Sequence, residues 1–542
     1  MTELDADLEV PERTTARSLA RAGLVVSGAY LVARVLGYVR VVVIGTTFGA
    51  SAELDSFFAA FRIPDLIFQL VAAGAVASAL VPIVASLRAT SEHERAWRIV
   101  STIANLMLVG LLTLAVVAWL AAPALVPLIA PGFEGQQLAR TIDLTRLMLL
   151  APVCLALGAV ATAALNGTQR FAASAVAPIV YDLAIIGAAI VLTPSMGVTG
   201  LAIGVVAGSL GHLLVQLPPL VRAGYRWIAR VDLQDAQARL ALVLMGPRVI
   251  GLGVTQITFV VMTALATNLG AGAVSAYTIA FSLLQIPLGV IGIPLGIVIF
   301  PSLSKELALG RAGHYLAILT RSLRILAFVM LPITALGIVL RLHVVELLLG
   351  YGAFDRAAVR LTADTLLLFL LGLTAHSVIA VLTRAFYARQ DTRTPMAAAV
   401  LAVVINTLLA VALVGSLGLP AVGLAIAAAA WIEALVLLLL LRRREGLALE
   451  LGGLASALLR MSVAAAAAGL VAATALVFLF GDPDVAGLDD GIGSKLWLLV
   501  QAVVVTAIGG AVYALATWLL GVRELRTILS ILVDLLRRGG RA

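Results

Sequence analysis

The sequence predicts an all-α polytopic membrane protein of about fourteen transmembrane helices, built as two repeated six-helix lobes plus two C-terminal helices. Three observations predict it. Of 542 residues, 62% are hydrophobic and only 12% charged, with a mean hydropathy of +1.10, whereas a soluble domain is about half apolar and a quarter charged. Apolar stretches long enough to cross ~30 Å of hydrocarbon recur along the chain, separated by short polar breaks. The second half of the chain also repeats features of the first at a constant spacing.

Residues 1–21 are polar and show no cleavage site behind a short apolar core, so they are expected to form a cytoplasmic tail rather than a signal peptide. Spans are expected near 22–46, 63–87, 99–122, 143–166, 171–193, 198–220, 247–269, 273–301, 322–342, 361–387, 395–415, 419–441, 456–480 and 495–520. An N-lobe then occupies 22–222, a cytoplasmic amphipathic linker 223–246, a C-lobe 247–446, the last two helices 447–521 and an amphipathic cytoplasmic tail 522–542. Residues 232–245 and 522–538 place apolar side chains at helical spacing opposite Arg and Asp, which predicts two helices lying along the membrane surface.

Charge orients the spans. Connections holding Arg13, Arg17 and Arg21, Arg88, Arg95 and Arg98, Arg222, Arg226 and Arg230, Lys305 and Arg311, Arg389 and Arg393, and Arg442 to Arg444 alternate with nearly uncharged or acidic ones such as FGASAELD and FGDPDVAGLDDGIGSK. Basic connections stay in the cytoplasm, which puts both termini there and requires an even number of spans. The net charge of +8 therefore reflects topology and gives no reason to expect a nucleic-acid partner. One cysteine, Cys154, excludes an intrachain disulfide and a Cys-based metal cluster.

The repeat is visible in ordered matches. GVTGLAIG at 197–204 resembles PAVGLAIA at 420–427, FGA at 48–50 resembles LGA at 269–271, and FRIP ending at Pro64 resembles LQIP ending at Pro287. Pro82 in LVPIVASL matches Pro301 in IFPSLSKEL, and every offset lies between 219 and 223. Parallel repeated bundles with a site near midplane are a common build of alternating-access transporters.

The polar residues inside the spans carry the chemistry. A cation at the centre of a bilayer costs ~3 kcal/mol or more, so it is rarely idle. Arg34 and Arg40 stand six residues apart in the first span, about 9 Å along a helix and ~120° around it. They either face one cavity, with Gly37 permitting a bend, or snorkel and pair with a neighbouring helix. Arg62 and Asp65 flank Pro64, with Asp55 upstream; this group either binds a ligand or fixes the first loop. Asp182 and Glu433 are the carboxylates deepest in apolar sequence, and either balance a buried arginine or carry a coupling proton. His212 and His376 suit packing roles better than ligation. No HExxH, CxxC, carboxylate cluster or Walker pattern occurs, so neither a bound metal nor an ATPase is expected, and no other cofactor. Energy would come from the membrane potential, a cation gradient or a partner.

Four strings then point to a family. RAFYARQDTRTP at 384–395, ARVLGYVR at 33–40, LDSFFAAFRIPDL at 54–66 and LIAPGF at 128–133 closely resemble signatures of the MurJ/MviN lipid II flippases, within the multidrug/oligosaccharidyl-lipid/polysaccharide exporter superfamily. The resemblance spans the twelve-helix core. It implies a transporter rather than an enzyme, in the bacterial plasma membrane. The implied cargo is undecaprenyl-pyrophosphate-linked disaccharide-pentapeptide, moved from inner to outer leaflet, with membrane lipids and the cell-wall synthesis machinery as partners. Arg34 and Arg40 sit where the family keeps its first-helix arginines, which implies that they hold the pyrophosphate.

The chain also departs from the pattern. Where many members carry a basic pair and an acidic residue in the second helix, it has Phe68, Gln69 and Ala73, and where they have an arginine and a glutamate before the eighth-helix proline, it has Ser282 and Gln285. Gln69, Ser282 and Gln285 are thus candidate substrate contacts, alongside Arg34, Arg40, Arg62 and Asp55. The family's sodium site uses a carboxylate one turn beyond an Asn in the eleventh helix; here Asn406 is followed by Ala410, so Asn406 remains a candidate coupling residue without that ion site. Two other cargoes compete with lipid II. One is a different polyprenyl-pyrophosphate-linked glycan. The other is a drug exported against a cation gradient, which the basic residues disfavour.

Overall fold

The computed structural model describes residues 12–71, 75–445, 451–481 and 492–526, and among them every regular element is helical. The chain separates into two compact units. Unit 1 runs to Ile44 and resumes over Ser56–Gln256; unit 2 takes Gly45–Asp55 and the chain from Ile257. The division departs from the expected lobe boundaries at 222 and 247 in two ways, each with a physical cause. The helix expected to start at 247 begins at Ala236 and continues unbroken to Ala266. The connection between the first two helices belongs to unit 2 because its polar groups are satisfied there.

Unit 1 holds α1 (Glu12–Phe48), whose last turn belongs to unit 2, then α2 (Ala52–Val71), whose first turn to Asp55 also belongs to unit 2, α3 (Ala75–Ala89), α4 (His93–Ile129), α5 (Gly135–Met148) and α6 (Leu150–Gly167). It continues with α7 (Phe171–Val191), the single turn α8 (Thr193–Met196), α9 (Val198–Leu214), α10 (Leu217–Arg222) and most of α11 (Ala236–Ala266). Leu80 and Val84 of α3, Ile99 and Ile103 of α4 and Leu165 of α6 are fully buried and form its centre. Gly167 permits this approach, since a Cβ there would lie 2.8 Å from the Val84 side chain.

Unit 2 holds α12 (Ala273–Pro287), α13 (Ile293–Ala308), α14 (Ala312–Val339), α15 (Arg341–Leu349), α16 (Arg356–Leu370) and α17 (Leu373–Ala388). It ends with α18 (Arg393–Leu417), α19 (Pro420–Glu445), α20 (Leu451–Phe480) and α21 (Ile492–Leu519). Phe369 gathers Tyr277 and Phe281 at ring separations of 6.0 and 5.7 Å. The last two helices pack on α14 through small residues: Ala464, Ala465 and Ala468 meet Ala327 and Phe328, and the Tyr513 hydroxyl donates to the Phe328 carbonyl at 2.9 Å. Small side chains let helices approach closely where lipid offers no hydrophobic drive.

Among the described residues, eleven helices are long and apolar enough to span a membrane, or twelve when α16 and α17, bent by 46°, form one span. Two shorter apolar helices, Val76–Ala89 and Gln256–Leu269, stand where spans were expected near 63–87 and 247–269. Fourteen spans are compatible with this arrangement. The expected span 273–301 is Ala273–Ala308, interrupted by a π-helical turn at Leu288–Gly292 directly after Pro287. Proline has no N–H to donate within a helix, and a π turn re-registers the ladder around that gap.

The repeat reaches the backbone. Left-handed residues occur at Gly49, Ser91, Gln169 and Gly197 in the first half and again at Gly270, Gly310, Gln390 and Gly418. Each pair keeps the offset of 219 to 221. The turns match in their bonds too: the Arg170 N–H donates to the Leu165 carbonyl as the Asp391 N–H donates to that of Phe386.

The helix expected at 232–245 is not a separate element: its residues are helical only from Ala236, as the first part of α11. Residues 225–235 form an irregular strap. The strap is held by a polar row on α4. Asn105 Nδ2 donates to the carbonyls of Ile228 (2.7 Å) and Arg230 (3.1 Å), and Trp227 Nε1 donates to Asn105 Oδ1 (2.8 Å). Ser101 Oγ accepts from the Ile228 N–H and Thr102 Oγ1 from the Asp232 N–H. Arg95 closes the row with two bonds to the Asp235 carboxylate at 2.7 and 3.3 Å. Main-chain groups used in this way cannot also form a helix. Of the expected tail helix 522–538, residues beyond 526 lie outside the described ones, as do Asp482, Asp484, Asp489 and Asp490.

Candidate functional site

Arg40 and Asp182 meet. Arg40 Nη1 lies 2.7 Å from Asp182 Oδ1, joining α1 to α7 within unit 1. The Asp182 side chain is 9% exposed and that of Arg40 29%, so the carboxylate is enclosed while the guanidinium keeps an open side. Gly37, one turn before Arg40, faces the same carboxylate: a Cβ there would make ordinary van der Waals contact with Asp182 Oδ2 at 3.7 Å. The Arg40 guanidinium also lies 5.7 Å from the Tyr181 ring centroid, close enough for a cation–π contact. Asp65 of α2 is within electrostatic reach of Tyr181, which draws the second helix into the same neighbourhood.

Arg34 differs. It lies 5.7 Å from the centroid of Tyr38, one turn along its own helix, and its side chain is exposed. Arg62 is half-buried on α2, and Gln69 Nε2 donates to Asp65 Oδ1 at 3.4 Å along the same helix. The structure therefore places Arg34, Arg40, Asp182 and the polar face of α2 in one unit, with Arg40 and Asp182 in contact. Arg40 forms a close ion pair with a carboxylate from another helix of that group.

Asp55 requires a correction. It is fully buried in unit 2, and its carboxylate accepts from the N–H groups of Gly272 (2.6 Å) and Ser275 (2.7 Å) and from Ser275 Oγ (2.6 Å). It caps the N-terminus of α12, where free N–H groups and the helix dipole favour an anion. Gly272 adopts φ +85°, and a Cβ there would stand 2.4 Å from the Ala50 carbonyl oxygen. A carboxylate so fully engaged is a structural cap rather than a substrate contact.

Ser282 and Gln285 lie further along α12, one turn apart on one face and half-buried, just before the π turn. Ser282 Oγ donates to the Thr278 carbonyl at 2.8 Å. Asn406 and Glu433 are elsewhere in unit 2, on α18 and α19. Asn406 is buried with no hydrogen-bond partner for Oδ1 among the described residues, and Ala410 beside it is fully buried. Glu433 is half-buried. The described residues contain no group of three His, Cys, Asp or Glu able to hold a metal ion.

Sequence reasoning missed two charge pairs. Lys495 of α21 binds Glu346 of α15 and donates to the Gly350 carbonyl at 2.6 Å, with the Tyr351 ring centroid 4.7 Å away. Arg324 of α14 pairs with Glu524 beyond α21 at 2.5 Å. Both tie the last helices to unit 2, and neither has a local signal, since the partners lie far apart in sequence.

What the arrangement can do follows from its charges. One guanidinium is exposed, a second is open on one side and balanced by a carboxylate, and all lie on spans otherwise apolar. That combination suits a dianionic group on an amphiphile. The chain is similar to several known proteins. A family model described as lipid II flippase MurJ matches residues 44–482. The lipid II flippase MurJ of Burkholderia cenocepacia is 31% identical over 435 residues, covering 79% of this chain and 84% of that protein. A probable lipid II flippase MurJ of Rhizobium tropici is 31% identical over 441 residues, covering 80% and 83%. Among solved structures, a lipid II flippase MurJ in an inward closed conformation aligns with a TM-score of 0.73 at 21% identity, covering 91% of this chain and 98% of that one. An inward-facing MATE family multidrug resistance transporter aligns with a TM-score of 0.67 at 16% identity, covering 76% and 94%; both likenesses speak to fold alone.

Proposed function

The chain belongs to the lipid II flippase MurJ family, and we propose that it carries lipid II from the inner to the outer leaflet of the bacterial plasma membrane by alternating access. The observation that carries the reading is the Arg40–Asp182 pair, with Arg34 on the same helix. Arg40 without substrate is balanced by Asp182. A pyrophosphate brings more charge than one carboxylate and can accept the guanidinium fork bidentately. Its arrival exchanges one anion for another at Arg40, while Arg34 supplies the second cation. When the headgroup leaves, Asp182 retakes Arg40 and the site resets. Asp182, freed at each turnover, is the proposed carrier of a coupling proton; membrane potential acting on the charged headgroup is the alternative driver.

The alternation of basic and neutral connections supports placing both termini in the cytoplasm. The enzymes that polymerise the delivered precursor are the proposed partners. Complementation of a conditional flippase-depletion strain tests the cargo. Growth restored by this chain is the expected result. Failure to grow, with membrane insertion verified, would transfer the reading to another polyprenyl-pyrophosphate-linked glycan.

A further inference from the structure

The strap 225–235 presents a second surface, remote in chemistry from the arginine pair. Its main chain is spent on Ser101, Thr102 and Asn105, which turns its side chains outward. Trp227 is 62% exposed although its indole N–H is fixed to Asn105. Ile228, Val231 and Leu233 are exposed beside it. Four large apolar side chains held open on a rigid loop form a patch that water does not stabilise.

Depth and charge identify what covers it. Asn105 lies twelve residues into α4, about 18 Å along its axis. With 37 residues, α4 is ~55 Å long against ~30 Å of hydrocarbon, so its first turns lie at headgroup level. A tryptophan with an apolar ring and a bonded N–H suits that boundary. Arg222, Arg226, Arg230 and Arg239 surround the patch, all exposed and without an ion pair to another described residue. The nearby acids are already engaged: Asp235 by Arg95, and Asp232 by the Gln234 N–H.

We propose that this strap binds anionic phospholipid headgroups of the leaflet on the basic side, the cytoplasmic one in the orientation given above. The rigid main chain means that no segment must order on binding, and each arginine near an anionic surface favours it about fivefold. The surface belongs to unit 1 and needs neither the transport substrate nor a moving element.

Quenching of tryptophan by brominated lipid tests it. The full-length protein is placed in nanodiscs of zwitterionic phosphatidylcholine carrying the same mole fraction of brominated phosphatidylglycerol or brominated phosphatidylcholine. Subtracting the Trp227→Phe variant isolates Trp227. Stronger quenching by the anionic lipid is expected, and the Arg226→Gln/Arg230→Gln double variant should equalise the two lipids while Trp227 stays quenched. Equal quenching in the wild type, a preference that survives the double variant, or a Trp227 untouched by either lipid would each overturn the proposal. Because nanodisc leaflets are equivalent and no transport is measured, the outcome is independent of the orientation and of the cargo.

Discussion

Arg40 and Asp182 illustrate how a buried carboxylate in a membrane protein is balanced by a cation from another helix. The two residues are 142 apart in sequence, so each is visible there as an unexplained polar residue in an apolar helix, while their partnership is not. The same holds for Asp55, whose capping bonds reach across 217 to 220 residues to Gly272 and Ser275. Chemistry was legible at these positions; pairing was set by the fold. The geometry makes the two arginines distinguishable. Arg40→Ala leaves Asp182 enclosed without its cation, a cost of about 2 kcal/mol, so protein abundance should fall. Adding Asp182→Asn should restore abundance but not transport. Arg34→Ala should leave abundance near wild type and weaken headgroup binding roughly ten- to a hundredfold, the loss of one charged hydrogen bond. Lys at either site keeps charge but loses the planar fork, so partial activity is expected. Immunoblots and transport measured side by side check all four. Full transport by a normally abundant Arg34→Ala protein would remove the clamp.

At the scale of elements, apolar length located the spans, whereas the interruption after Pro287 within the expected span 273–301 came from the structure. The strap did not show because Ser101, Thr102 and Asn105 look like ordinary small polar residues of a helix until the chain comes to lie on them. Its end tie is sensitive to pH. Hydrogen bonds from Arg95 hold the Asp235 carboxyl below the usual carboxylate range, and they do the same for Glu92. A depressed carboxylate stabilises the fold at pH above its unfolded value of about 4 and loses that contribution as pH falls through the depressed value. Hydrogen exchange on a peptide covering 225–235 should therefore show protection that is constant from neutral pH down to about 4 and declines below it, once intrinsic exchange is corrected. Asp235→Asn should lower protection at neutral pH and flatten the profile. An unchanged profile would mean that Asn105 and its neighbours hold the strap unaided.

Across the whole molecule, the repeat was readable from four short matches, and the left-handed turns at Gly49 and Gly270, Gly197 and Gly418, and Gln169 and Gln390 keep the relation in the backbone of both halves. The unit boundary was less readable. Continuity of α11 past 247 and the attachment of 45–55 to unit 2 depend on contacts that no local pattern records. Family membership supplies the cargo class on which the proposed role of the charged residues in unit 1 rests. Lipid II exposed on the outer face of cells depleted of their own flippase is the quantity that tests this most directly, read by an enzyme or label that cannot enter the cell. Expression of this chain should return the exposed fraction to the level of undepleted cells, and the Arg34→Ala variant at equal abundance should not. Lipid II that stays inside while the wild-type chain is inserted at normal abundance would contradict the account.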